Sequence, residues 1–307
     1  MWKTPHIKYR RIFMEKKFLK LKNGETLAYL EKGNGDNVLV LIHGNLSSSV
    51  YYLPLIKLLP DTLRTIAIDL RGFGDSSYQN KVSSLKELAE DVVLFLQGLH
   101  ISKATICGWS LGGGVAMELS AHHPNLVKKL ILINSTTHKG YPIFKKDATF
   151  KPILGEIYHS PEEMANDPLQ VKPVIDAIKA NNTGFMTYIY DLTIYTVNKP
   201  TVEENALYIS ETMKQRNLAD VDYALATLNM GNAFNFYRNG DNTISNILCP
   251  VLHFWGDHDK TVPEYMVLDN IEALKPNSKY IKFENCGHSP LVDKVQELSI
   301  EILNFMI

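Results

Sequence analysis

Gly108-Trp109-Ser110-Leu111-Gly112 sets a serine between two glycines, at the point where the apolar run Ala104 to Cys107 passes into a helical pattern. A serine hydroxyl attacks a carbonyl only if the backbone holds it out of the fold. The sharp strand-to-helix turn that does this, a nucleophile elbow, leaves no room for bulk beside the serine, and the flanking glycines supply the space. By composition alone such a five-residue pattern arises in about one chain in ten of this length, so its meaning depends on the rest of the chain.

Downstream of Ser110 comes Asp259, in Phe254-Trp255-Gly256-Asp257-His258-Asp259, after the apolar strand pattern Val251 to Trp255. His288 follows in Asn285-Cys286-Gly287-His288-Ser289-Pro290, directly after the strand-like Tyr280 to Phe283. Each of the three thus falls in a loop after an expected strand. The order serine, aspartate, histidine differs from that of the chymotrypsin and subtilisin triads. In the implied chemistry His288 takes the Ser110 proton during attack on an acyl carbon, an acidic partner orients the imidazolium, and water then cleaves the acyl-enzyme. Asp257, two positions before Asp259, is the other carboxylate able to serve as that partner.

Upstream, Val38 to Ile42 reads as a fully buried strand running into His43-Gly44-Asn45-Leu46-Ser47-Ser48-Ser49. Charge developing on a carbonyl oxygen needs two backbone N–H donors. Asn45 and Leu111, the residue after the nucleophile, are the expected pair, with Leu46 the alternative for the first position. The glycine-rich turn Asp69 to Ser76 after the strand Thr65 to Ile68 reads as a structural loop.

These motifs, over residues 16–135 and 245–307, resemble the α/β-hydrolase fold family. His43-Gly44-Asn45 with its following serines, together with Gly108-Trp109-Ser110-Leu111-Gly112-Gly113, resembles the branch of small-molecule carboxylesterases and lactonases, including acyl-homoserine lactonases. The resemblance implies the Ser110, Asp259 and His288 triad, the oxyanion hole and no cofactor. It favours Asp259 over Asp257, because the family's acid stands three residues after a glycine like Gly256. It does not imply one substrate, since the fold hosts many chemistries.

The alternation of strand and helix predicts an α/β architecture, a mostly parallel sheet of about eight strands with helices on both faces. Residues 16–21 and 25–31, joined by Asn23-Gly24, read as an opening hairpin. Helices are expected near Tyr51 to Leu59, over Ser84 to Leu99 with Ser84 as N-cap, and from Leu111 to Ala121. From 136 to 244 the pattern changes to few β-branched runs and many Asn, Tyr and Met. We read this as a helical cap, with helices near Glu162 to Asn166, Pro173 to Ala180, Val202 to Lys214 and Tyr223 to Asn229. It would lie over the carboxyl ends of the strands, where ligands bind in open α/β sheets. Residues 1–15 read as an N-terminal extension.

Lys plus Arg number 32 against 33 Asp plus Glu, a net charge of −1, which supplies no field for nucleic acid or an anionic membrane. A small-molecule ester or lactone is the expected partner. No run of eighteen apolar residues suits a membrane span, and the basic N-terminus lacks a signal-peptide core. Three cysteines, Cys107, Cys249 and Cys286, fit reduced thiols in a cytoplasm. His43 suits a hydrogen bond within the oxyanion loop, and His122, His123, His138, His159, His253 and His258 share no ligand spacing, so no metal is expected. Gly112-Gly113-Gly114 lacks the following Gly-Lys-Ser/Thr of a phosphate loop. Trp109 fits the acyl pocket as well as the core, and it and Leu46 are the expected substrate contacts.

The function expected is hydrolysis of carboxylic esters of small or medium acyl chains, with lactone opening beside it. Cleavage of a carbon–carbon bond in a dienol uses the same triad, and a receptor of this fold would keep the pocket with little turnover. A cofactor-free perhydrolase activity would accompany esterase activity. The serine at position 110 argues against dehalogenase or epoxide hydrolase chemistry, which uses an aspartate nucleophile on this fold.

Overall fold

The computed structural model describes residues 14–307, and residues 1–13 of the expected extension lie outside the described residues. Eight strands form one sheet. They are β1 (Lys17–Lys20), β2 (Thr26–Lys32), β3 (Asn37–Ile42), β4 (Leu63–Ile68), β5 (Ala104–Trp109) and β6 (Val127–Ile133), then, beyond a separate ribbon of β7 (Phe144–Lys146) and β8 (Pro152–Ile157), β9 (Val251–Gly256) and β10 (Ser278–Phe283). Their order is β1-β2-β4-β3-β5-β6-β9-β10. The hairpin β1-β2 joins β4 antiparallel, and every pair from β4 to β10 is parallel. The helices are α1 (Leu53–Leu58), α2 (Leu85–Gly98), α3 (Leu111–His122), α4 (Pro161–Met164), α5 (Lys172–Lys179), α6 (Thr183–Thr193), α7 (Val202–Thr212), α8 (Leu218–Thr227), α9 (Glu264–Ala273), α10 (Pro290–Asp293) and α11 (Val295–Met306).

Strand alternation splits the core in two. Val38, Val40 and Ile42 of β3 pack on one face with α2 and α3, whereas Leu39 and Leu41 pack on the other with α1 and α11. Both faces being covered, β3 and β5 are apolar along nearly their whole length, as parallel strands require. Ser84 caps α2 by accepting from Glu87 N–H, as its position before the apolar period predicts.

Between β6 and β9 lie the ribbon and α4 to α8. Four of these helices fall where sequence periodicity predicts them. Helix α6 and the ribbon are additional. Thr183-Gly184 opens α6 and five of its residues between 185 and 190 are aromatic or β-branched, a composition of low helix propensity, and burial of Met186 and Tyr190 overrides it. Strand β8 has Pro152 at its start, Gly155 inside it and mostly exposed residues, so no alternating pattern marks it. No helix among the described residues is long and apolar enough to cross a membrane.

Candidate active site

Ser110 stands between β5 and α3 with φ 56° and ψ −120°. A non-glycine residue in such a region costs about 1–3 kcal/mol. Three backbone bonds hold it there: Ser110 N–H donates to Ile133 O at 3.0 Å, and Ser110 O accepts from Gly113 N–H at 2.9 Å and from Thr136 N–H at 3.3 Å. The glycines give the room. A Cβ on Gly108 would stand 2.2 Å from Gly112 O, and one on Gly112 would stand 2.2 Å from Ile42 O. The start of α3 is therefore pressed against both β5 and β3, and the Ser110 side chain makes no capping bond to its own helix.

The loop after β9 brings Asp259 to the loop after β10. His288 Nδ1 and Asp259 Oδ2 lie 2.8 Å apart, both groups buried. The same Oδ2 accepts from Asn134 Nδ2 at 2.7 Å, and Oδ1 accepts from the N–H groups of Thr261 and Val262 at 2.8 and 2.9 Å. Burial alone would push the Asp259 carboxyl up, but the His288 charge and these donors outweigh it and hold the carboxyl below its ordinary value. Asp257 turns elsewhere, to His258 Nδ1 at 2.6 Å and Cys286 N–H at 3.1 Å. Trp109 Nε1 donates to His288 O at 2.8 Å, which ties the elbow to the histidine loop. No hydrogen bond among the described residues joins Ser110 Oγ to His288, although both line one cavity. Nucleophile-to-base bonds often tighten only in the substrate complex.

After β3, His43 is buried and anchors its loop. Leu70 N–H donates to Nε2 at 3.0 Å, which leaves Nδ1–H to donate to Gly44 O at 2.7 Å. Burial drives the imidazole pKa down to about 4, so it stays neutral and structural. Leu46 N–H donates to Gln215 Oε1 at 2.9 Å. Among the described residues the N–H groups of Asn45 and Leu111 have no partner, and both residues line the cavity with Ser110.

That cavity, of about 320 Å³, also takes Leu46 and Trp109 into its wall, with Tyr141, Ile189, Tyr190 and Asp222 from the 136–244 segment. Asp222 Oδ1 accepts from Asn45 Nδ2 at 2.8 Å. Burial, only partly offset by that bond, raises the Asp222 carboxyl to about 7. Asn134, Gln215 and Asp222 were not among the residues expected from sequence. A short polar residue after a strand or inside a helical segment carries no motif, and only the fold brings these three to the site. The Asp69 turn is structural as read: Asp69 accepts from Ser49 and Asp75 N–H at 2.8 and 2.9 Å. Asp69, Asp75 and Glu211 form an acidic cluster, and Lys16 Nζ reaches all three at 2.7–2.8 Å.

Residues 37–155 and 181–295 match the family model described as alpha/beta hydrolase fold. The chain is 22% identical over 280 residues to the pimeloyl-[acyl-carrier protein] methyl ester esterase of Vibrio vulnificus (strain YJ016), covering 91% of this chain and 97% of that one. Among solved structures it is similar to an esterase from Exiguobacterium antarcticum, with a TM-score of 0.71 and 18% identity over 95% of this chain and 99% of that one. It is similar also to the enol-lactonase from Burkholderia xenovorans LB400, with a TM-score of 0.71 and 17% identity over 94% and 99%.

Proposed function

This chain belongs to the alpha/beta hydrolase fold family, and we propose that it is a serine hydrolase cleaving carboxylic esters of small or medium acyl chains. One observation carries the reading: the strained Ser110, the His288 ring bonded to Asp259, and the unengaged N–H groups of Asn45 and Leu111 all border a single cavity. In this mechanism Ser110 Oγ attacks the acyl carbon while His288 Nε2 takes its proton. Asp259 keeps the other ring proton on Nδ1 and stabilises the imidazolium. The two N–H groups bind the oxyanion, which is where preorganised donors contribute most. His288 then returns the proton to the departing alcohol, and water, activated by the same ring, cleaves the acyl-enzyme.

A cavity of about 320 Å³ stands at the small end of ligand sites and supports a short or medium acyl group. The 136–244 segment serves as the cap that walls it. Lactone opening is a second reading, supported by the polar wall groups Tyr190, Thr193 and Asp222, which suit a ring bearing hydrogen-bonding substituents. Steady-state hydrolysis of p-nitrophenyl esters of two to twelve acyl carbons, beside a lactone set, tests both. Ser110→Ala should lower kcat by on the order of a thousandfold or more and abolish fluorophosphonate labelling. Activity retained in Ser110→Ala would overturn the nucleophile assignment, and turnover of lactones alone would select the second reading.

A further inference from the structure

The turn that carries the Asn45 N–H is held by two different parts of the molecule. Its first half belongs to the core, where Gly44 O accepts from His43 Nδ1 and from Ser47 Oγ, each at 2.7 Å. One residue on, the partners change. Asn45 Oδ1 accepts from Gln215 Nε2 at 2.9 Å, and Asn45 Nδ2 donates to Asp222 Oδ1 at 2.8 Å. Leu46 N–H donates to Gln215 Oε1, while Leu46 O accepts from Thr212 Oγ1 at 2.6 Å and from the Tyr190 hydroxyl. Tyr190, Thr212, Gln215 and Asp222 all come from α6, α7, α8 and the link before α8. Among the described residues, the Asn45 side chain has no partner from the core except the adjacent Leu46 N–H.

We propose that Gln215 and Asp222 are positioning residues that aim the Asn45 N–H, so that the oxyanion-binding pair is complete only while the 183–227 segment is seated on the core. The inference rests on the serine-hydrolase reading above. Its physical basis is the freedom of a peptide plane. Leu46 has φ 55°, a conformation that a leucine adopts only when its surroundings impose it, and the surroundings here are the insertion. Gly44 O and the Asn45 N–H share one rigid peptide plane: His43 and Ser47 hold its carbonyl end, and Gln215 and Asp222 hold its Asn45 end through the side chain, so without the latter two the plane tilts on its carbonyl anchors and the N–H loses its aim into the cavity. Leu111 N–H, fixed at the start of α3, stays in place. Lifting the insertion to admit substrate would therefore dismantle half of the oxyanion site, and reseating it would restore that half with substrate enclosed.

Losing one oxyanion donor outright costs about 100- to 1,000-fold in kcat, and misaiming it costs less. The test measures kcat and KM on p-nitrophenyl butyrate, the rate of fluorophosphonate labelling of Ser110, and the melting temperature. Gln215→Ala and Asp222→Ala should each lower kcat about 10- to 100-fold, with KM within about threefold, because the interaction lost is made in the transition state. Labelling should slow in parallel. Asp222→Asn, which keeps the acceptor for Asn45 Nδ2, should recover most of the loss. Gln215→Glu, which keeps its volume and the acceptor for Leu46 N–H but lacks the donor to Asn45 Oδ1, should fall with the alanine variants and substitutes if one of them does not fold. Since the effect passes through the Asn45 side chain, adding Gln215→Ala to Asn45→Ala should lower kcat by less than about twofold more. Parental kcat in Gln215→Ala, Gln215→Glu and Asp222→Ala, or a full multiplicative loss in the double variant, would overturn the proposal while leaving the nucleophile assignment standing. Parental labelling and turnover in Ser110→Ala would remove the serine-hydrolase reading and this inference with it.

Discussion

Asp257 and Asp259 stand two positions apart in one loop and are given different work by their neighbours. Asp259 is buried against the His288 ring with donors on both oxygens, whereas Asp257 faces His258 at the surface. Asp259→Asn puts an amide where the ring needs an acceptor and favours the wrong tautomer, so kcat should fall by on the order of a thousandfold or more. Asp257→Asn alters a partly exposed hydrogen bond with His258 and should stay within about tenfold of the parent. Steady-state kinetics of the two variants decide it, and the reverse order would move the acid to Asp257. At this scale the motif-bearing residues were legible because the chemistry restricts each to one residue type in one setting. Asn134 was not, although it donates to the same carboxylate oxygen as His288. An asparagine after a strand has many uses, and its value here comes from the register of β6 beside β9.

The elbow shows how an element is built from two absent side chains. A Cβ at position 112 would meet Ile42 O at 2.2 Å and His43 O at 2.5 Å, both backbone atoms that no rotamer change can clear. Gly112→Ala should therefore destabilise the fold by about 1–3 kcal/mol, as overpacking does, and shift β3 or α3. Gly184, at the start of α6, is the contrast: its nearest atom to an added Cβ is Asn182 Oδ1 at 3.6 Å. Gly184→Ala should be stabilising by about 0.4–1 kcal/mol through the unfolded chain. Urea midpoints with an unchanged slope measure both; a Gly112→Ala midpoint equal to the parent's would mean that the strand-to-helix packing is looser than these distances require. Elements with a strong period or a cap, such as β3, α2 and the Thr201–Glu204 capping box of α7, are written locally. The ribbon and α6 are not, because tertiary burial rather than local propensity selects them.

Over the whole molecule, two buried groups in the same corner act on stability with opposite sign. The Asp222 carboxyl has an ordinary value of 3.8 and is raised to about 7. Between those values the folded chain holds a proton that the unfolded chain has lost, so this group's contribution falls as pH rises and stays at its lowest above about 7. His43 runs the other way, its pKa lowered from 6.5 to about 4: across that interval the unfolded chain takes up a proton that the folded chain refuses, and stability rises with pH. The two windows overlap and flatten each other in the parent's own profile. Comparing Asp222→Asn with the parent removes one slope and leaves the other untouched. The asparagine keeps an acceptor for Asn45 Nδ2 and cannot ionise, so its melting temperature relative to the parent should climb from pH 5 to pH 8 by on the order of a few °C. Asp167 and Lys146, the charges that act on Asp222, are paired with each other and are expected to contribute little to that slope. A difference between variant and parent that is the same at pH 5 and pH 8 would mean that Asp222 ionises normally, with water reaching it through the cavity.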